Sequence, residues 1–311
     1  MGSAMFNKIL VPLDGSGLAA QALEPALAIT RATDAELLLL NVPSYQQIIA
    51  PSATGYTMLP TDQIIALGQD DAEDYLEEVT RQARCRDCRI RTIVKKGDVA
   101  GCIVDTAAAE DVDLIVMTTH GYSGFTRWML GSITERVLRS APCPVLVVRE
   151  SISLCKTLIN LDGSALAEKA LAPGLALASI FGCQVTLLRA DYGEELSSME
   201  QGVLQMAGAG SCQDLVDQGA DRLHYYLECL ARQHRTPDLA IKTVVVKAKP
   251  AEAILSYTEA EGIDLIVMAS HGRSGVSRWV YGSVTEKVLR QAGCAMLIVR
   301  PPATEESETD D

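Results

Sequence analysis

Two stretches of this 311-residue sequence carry the same glycine-rich loop. Thr118-Thr119-His120-Gly121-Tyr122-Ser123-Gly124 leads to Gly131-Ser132, and Ala269-Ser270-His271-Gly272-Arg273-Ser274-Gly275 leads to Gly282-Ser283. Glycine lets backbone come close to a ligand. A Gly-Ser pair that opens a helix presents amide N–H groups at the positive end of the helix dipole. That is chemistry for an anion, phosphate above all. A serine at a helix start also serves as a simple cap, but the same loop twice, at equivalent places, favours ligand binding. Asp14 and Asp162 each close an apolar run and open an Asp-Gly-Ser turn. Such a turn is common in its own right, yet an acid at the end of a strand also accepts hydrogen bonds from ribose hydroxyls. Carboxylates facing a triphosphate call for a counter-ion, and Mg2+ is the expected one.

Other reactive residues carry less. His120 and His271 adjoin the glycines, but no Ser or Cys nucleophile with an acid partner accompanies them, so they read as phosphate neighbours rather than catalysts. Arg127-Trp128 and Arg278-Trp279 recur between the glycines and fit a self-packed surface turn, with partner recognition as the sharper alternative. Gly15-Ser16-Gly17 and Gly163-Ser164 lack the Gly-Lys-Ser/Thr ending of a P-loop. Cys85 and Cys88 form a lone CxxC with no second ligand pair, and Cys143 and Cys294 fit buried packing.

The elements that position these residues come in two sets. Residues 111–149 align with 262–300 without a gap, with 23 of 39 positions identical, and Lys8–Ser16 matches Lys156–Ser164. The chain is a tandem duplication joined near Glu150–Leu154. In the first half, aliphatic runs predict strands at Lys8–Asp14, Glu36–Val42, Arg89–Lys95, Leu114–Thr119 and Val145–Arg149. Amphipathic stretches predict helices at Leu18–Ala32, Asp70–Arg84, Val99–Glu110 and Ser132–Ser140. The second half predicts strands at Thr157–Asp162, Gln184–Ala190, Ala240–Val246, Leu265–Ala269 and Met296–Arg300. Near-continuous aliphatic strands alternating with helices mean a parallel sheet covered on both faces. The expected fold is α/β, two tandem doubly wound five-stranded parallel-sheet domains. Pro43–Gly68 and Tyr192–Gln213 read as irregular flaps beside the sites.

A chain that is 48% hydrophobic and 22% charged buries two ordinary cores, and aromatics at 5% leave these to Val, Ile, Leu and Ala. The net charge of −13, shared between the halves, argues against nucleic-acid binding. No apolar run is long enough to span a membrane, and no signal peptide opens the chain. Met1–Ala4 reads as a vector-derived lead before a start at Met5. Nine scattered cysteines fit reduced thiols and a cytoplasmic location.

These loops resemble the universal stress protein family, whose ATP-binding members carry G-x2-G-x9-G-(S/T). Gly121 is followed after nine residues by Gly131-Ser132, and Gly272 after nine by Gly282-Ser283. The likeness runs through Thr134–Arg139 and Thr285–Arg290 to the last strands. The first glycine of the pattern is Thr118 in one half and Ala269 in the other, and a family glycine kept as Gly97 is Ala248 in the second half. The resemblance implies Rossmann-like, adenine nucleotide alpha hydrolase-like domains at 5–150 and 154–302, then an acidic disordered tail at 303–311. It implies ATP with Mg2+, ribose at Asp14 and Asp162, and adenine against the backbone of Val42 and Ala190. Phosphates would lie at Gly121, Gly131 and Ser132, and at Gly272, Gly282 and Ser283. Ile133, Thr134, Val284 and Thr285 would complete the grip, with Pro12, Gly97, Met117, His120, Met268 and His271 also in the sites. The family pairs domains through the last strand, so Val145–Arg149 and Met296–Arg300 are expected to pair antiparallel within the chain as an intramolecular pseudo-dimer, with a homodimer of chains as a further step. The implied role is an ATP-binding regulator of stress response. With no evident general base or arginine finger, any hydrolysis would be slow. A scaffold that binds no nucleotide and a true nucleotide-dependent enzyme are the alternatives.

Overall fold

The structure, a computed structural model, describes residues 5–43, 49–52, 55–58, 61–83, 88–119, 130–149, 155–193, 201–203, 206, 222–237, 239–270 and 282–300. They fall into two compact units, one reaching to Thr119 with Gly131–Ser140 added, the other holding Leu130 and everything from Ala141 onward.

The first unit is built on β1 (Lys8–Pro12), β2 (Glu36–Asn41), a hairpin of β3 (Ile49–Ser52) and β4 (Gly55–Met58), β5 (Arg89–Val94) and β6 (Leu114–Thr118). Its main sheet is parallel in the order β5-β2-β1-β6. Leu37, Leu38, Leu39 and Leu40 are all buried, because helices cover both faces. Each such side chain contributes about 1.5–3 kcal/mol by leaving water. The helices are α1 (Gly17–Ala20), α2 (Leu23–Thr33), α3 (Thr61–Ala83), α4 (Val99–Ala109) and α5 (Ser132–Ser140).

The second unit contains β7 (Val145–Val148), β8 (Lys156–Asn160), α6 (Ala165–Lys169), α7 (Leu171–Phe181), β9 (Gln184–Ala190), α8 (Arg222–His234), β10 (Ile241–Val246), α9 (Pro250–Glu261), β11 (Leu265–Ala269), α10 (Ser283–Gln291) and β12 (Ala295–Val299). Its strand order is β10-β9-β8-β11-β12-β7. Strands β10 to β12 and β8, β9 run parallel. The last strand of the first repeat, β7, lies antiparallel to β12, with Leu146 opposite Leu297. Arg149 donates to the Leu289 carbonyl, and Arg300 Nη1 reaches the Ala141 carbonyl at 3.4 Å.

Both repeats tie the amino ends of their strands in the same way. Asp113 Oδ2 accepts the Asn7 and Lys8 amides at 2.7 and 3.0 Å, while Asp264 Oδ2 accepts those of Cys155 and Lys156, each at 3.0 Å. Lys8 Nζ donates to the carbonyl of Glu110 and Lys156 Nζ to that of Glu261, both at 2.6 Å. A cation at a helix carboxyl end also complements the dipole.

Two departures from the sequence reading have local causes. The helix expected over Leu18–Ala32 is broken into α1 and α2 at Gln21-Ala22. Pro25 has no N–H to offer, and in a continuous helix its ring would strike the carbonyl of Gln21 four residues back. Pro173 separates α6 from α7 after Lys169 in the same way. Within Pro43–Gly68, expected to be irregular, the chain forms the β3–β4 hairpin and then begins α3 at Thr61. Gly68 sits inside that helix, where it costs only about 1 kcal/mol relative to Ala. The flap at Tyr192–Gln213 and the tail lie almost wholly outside the described residues. Among the described residues no helix is long and apolar enough to cross a membrane.

Candidate functional site

In the first unit β1 is flanked by β2 and β6. The chain steps from β1 outward through β2 to β5, then returns to the other flank, so strand order reverses between β1 and β6. Between β8 and β11 the second unit does the same. Ligands of open parallel sheets bind outside the carboxyl ends of the strands at this reversal. The residues leaving those ends are Asp14 and Thr119 in one unit, Asp162 and Ser270 in the other.

Asp14 Oδ1 accepts the Ser16 amide at 2.9 Å, and Asp162 Oδ1 accepts the Ser164 amide at 3.0 Å. Gly15 and Gly163 take φ of 83° and 77°, a left-handed turn that glycine enters without strain. Ser16 and Ser164 then cap α1 and α6, each Oγ accepting an amide at 3.1 Å. The turn and the ligand reading of these acids are therefore compatible. The turn fixes each carboxylate at the crevice, exposed at Asp14 and half-buried at Asp162.

The chain returns from the glycine-rich segment to the carboxyl ends of β6 and β11. The Gly131 amide donates to the Thr119 carbonyl at 2.8 Å, and Gly282 to Ser270 at 3.0 Å. The Thr134 hydroxyl donates to the Thr118 carbonyl, the Thr285 hydroxyl to that of Ala269, each at 2.9 Å. Helical bonding begins with Glu135 to Gly131 and Glu286 to Gly282, so the amides of Ser132, Ile133 and Thr134, and of Ser283, Val284 and Thr285, precede it. Gly282 brings no side chain to cap these donors. Ser132, Ile133 and Ser283 are exposed, and Val284 is half-buried. This donor set fits a phosphate: two nine-residue helices, each pinned at its first turn to the end of β6 or β11.

The remaining expected residues are spread around this edge. Val42 and Ala190 are buried beyond β2 and at the end of β9, and Pro12 ends β1 half-buried. Met117 and Met268 are buried within β6 and β11. Gly97 holds φ of +136°, which L-residues rarely adopt, whereas Ala248 in the second repeat does not take a positive φ. His120, Gly121, His271 and Gly272 lie outside the described residues, as do both Arg-Trp pairs. Cys143 is buried and Cys294 is half-buried, its thiol pushed up to about 11 chiefly by burial.

The two repeats differ at positions that no motif marks. Asp98 caps α4 through the Gly101 amide at 2.8 Å and grips Arg136 with two bonds of 2.7 and 2.6 Å. The Arg136 guanidinium, then the Gly101 amide, holds the Asp98 carboxyl below its ordinary range. The second repeat has Lys249 and Lys287 at these two places, both exposed. Asn41, whose amide donates to the Leu13 carbonyl at 2.9 Å, is replaced by Arg189, 2% exposed and donating to the Ala190 carbonyl at 2.8 Å. A cleft of about 450 Å3 beside Gly15–Gly17 runs between α2 and α3, but its rim carries Glu24 and Glu78 against Arg31 alone. It suits an anion poorly.

The sequence matches the Universal stress protein family over residues 5–149 and again over 156–300. A universal stress protein of Mycolicibacterium smegmatis is 26% identical, covering 96% of this chain and 99% of its own. The Bacillus subtilis protein YxiE is 34% identical over 148 residues, 47% of this chain and 100% of its own length. The crystal structure of a universal stress protein from Archaeoglobus fulgidus superimposes with a TM-score of 0.69 at 20% identity, covering 96% of this chain and 99% of that one. The chain belongs to the universal stress protein family, as a tandem two-domain member.

Proposed function

We propose that each unit binds ATP with Mg2+, and that the chain is a nucleotide-dependent regulator of stress response with at most slow hydrolysis. The observation that carries this reading is the glycine-led helix start, latched to the end of β6 or β11 at the strand-order reversal and repeated in both units. Phosphates would take the first-turn amides and the Ser132 or Ser283 hydroxyl. Thr134 and Thr285 would serve through their amides, their hydroxyls being committed to strand carbonyls. Ribose would meet Asp14 or Asp162, and adenine the backbone at Val42 or Ala190. Bound Mg2+ would neutralise the phosphates, held mainly by phosphate oxygens and water. Cytoplasmic location and pairing of two chains belong to the same proposal.

Titration of Mg-ATP into the full chain tests it. Gly131→Val and Gly282→Val should each abolish binding in one unit and leave the other, and the double variant should bind nothing. Undiminished binding by the double variant would refute the assignment. The second reading, a scaffold without nucleotide, draws on Thr118 and Ala269, which stand where the family pattern has its first glycine.

A further inference from the structure

The second repeat carries two cysteines that nucleotide binding does not use. Cys155 immediately precedes β8 and Cys183 immediately precedes β9. These strands pair in parallel from Lys156 opposite Gln184 onward, and the Gln184 amide donates to the Cys155 carbonyl at 2.8 Å. Carrying that register back one residue sets Cys155 beside Cys183. Adjacent strands lie about 4.8 Å apart, within the roughly 4.4–6.8 Å between α-carbons that a disulfide bridges. In-register neighbours of a parallel pair also project to the same face. Cys155 is exposed, whereas Cys183 is 4% exposed. Burial pushes the Cys183 thiol up, the Thr157 hydroxyl eases it, and the nearby Cys155 and Asp264 push it up again.

The first repeat supplies an internal comparison. It has Asn7 and Ala35 at these places on the same backbone, with the Glu36 amide donating to the Asn7 carbonyl at 2.7 Å. Asp113 there ties the strand ends as Asp264 does here. Both neighbouring positions are thus cysteine in one repeat alone, with the local fold unchanged. Packing explains a small buried residue at 183, but not a cysteine at the exposed position 155.

We propose that Cys155 and Cys183 are an oxidisable dithiol, a modification site that a small disulfide such as oxidised glutathione converts to an intramolecular disulfide. Cys155, open to solvent, attacks as the thiolate. Its sulfur bonds to one half of the oxidant, the oxidant's S–S bond breaks, and the other half leaves as a thiolate that takes up a proton. Cys183 then gives its proton to solvent and attacks the Cys155 sulfur, expelling the second half. Two protein thiols lose two electrons, and one small disulfide becomes two thiols. The bond would join the amino ends of β8 and β9, the opposite edge from Asp162 and Ala190, so it stands or falls apart from the nucleotide reading.

The test is incubation of the full chain with oxidised glutathione, alkylation in denaturant, and proteolysis without reduction, followed by mass spectrometry. The expected product is a peptide pair joined through Cys155 and Cys183, lighter than the two thiol peptides by two hydrogens and lost on reduction. It should be absent from Cys155→Asn and Cys183→Ala, the residues the first repeat itself carries. Thermal unfolding should shift upward on oxidation in the unaltered chain and not in Cys183→Ala. Grafting Asn7→Cys with Ala35→Cys should create a second bond in the first unit. Alkylation of both Cys155 and Cys183 after oxidation would overturn the proposal. Glutathione retained on Cys155, or Cys155 joined to any other cysteine or to a second chain, would do so equally.

Discussion

Asp34 and Asp111 hold left-handed backbone, with φ of 56° and 51°, where the second repeat has Gly182 and Gly262. An L-residue meets steric cost there that glycine avoids, partly offset by the greater freedom of glycine in the unfolded chain. Asp111→Gly is therefore expected to stabilise the first unit by about 0.5 kcal/mol in urea unfolding. Asp98 titrates with a visible sign. Its folded pKa lies below the ordinary 3.8 because of Arg136, so its contribution is fully present above that value and is lost as pH falls through the lowered one. The melting temperature of the first unit should fall on acidification below about pH 4, and Asp98→Asn should flatten that fall. Lys249 and Lys287 replace a neutral pair by two positive charges, so Lys249→Asp with Lys287→Arg should weaken ATP in the second unit several-fold at low salt and little at high salt. Residues at this scale were only partly legible. Asp14 and Asp162 could be placed at the strand ends from sequence, but their Asx bonds to Ser16 and Ser164 depend on the local turn, and the buried Thr134 and Thr285 latches on where β6 and β11 end in space.

Elements were more legible, for a physical reason. Doubly covered parallel strands must be aliphatic throughout, so runs such as Leu37–Leu40 mark them to within a residue or two. Helix ends and the hairpin depend on single residues: Pro25 breaks the helix that the apolar pattern carries through Leu18–Ala32, and Gly68 lies inside a helix that the pattern starts at Asp70. How a helix settles on its sheet shows only on comparing the repeats. A β-carbon at Gly174 in α7 would lie 3.0 Å from Ile159 Cδ1 and 2.9 Å from Val267 Cγ1. The first repeat has Ala26 and Val11 at the places of Gly174 and Ile159. The larger helix residue there goes with the smaller strand residue. Gly174→Ala should destabilise the second unit by about 1–3 kcal/mol through overpacking. Ile159→Val in the same chain should recover part of that loss, a coupling that a double-mutant cycle in urea would measure. Additive effects would show that the two side chains do not share the space.

At the scale of the molecule, the duplication was readable from the sequence itself, whereas the pairing of the last strands was expected only from the family resemblance. The structure adds that β7, though encoded by the first repeat, is grouped with the second unit. Leu146→Ala should therefore cost about 2–5 kcal/mol and reduce hydrogen-exchange protection in β12, far along the sequence. Protection lost only in the first unit would contradict that pairing. The central claim is that both glycine-led helix starts hold adenine nucleotide. It is tested most directly by purifying the chain without added nucleotide, denaturing it, and measuring the adenine nucleotide released per chain. ATP bound in one or both units is the predicted result, with the missing share restored by added Mg-ATP. A chain that is empty on isolation and takes up no Mg-ATP at millimolar concentration would contradict the account and leave the scaffold reading in its place.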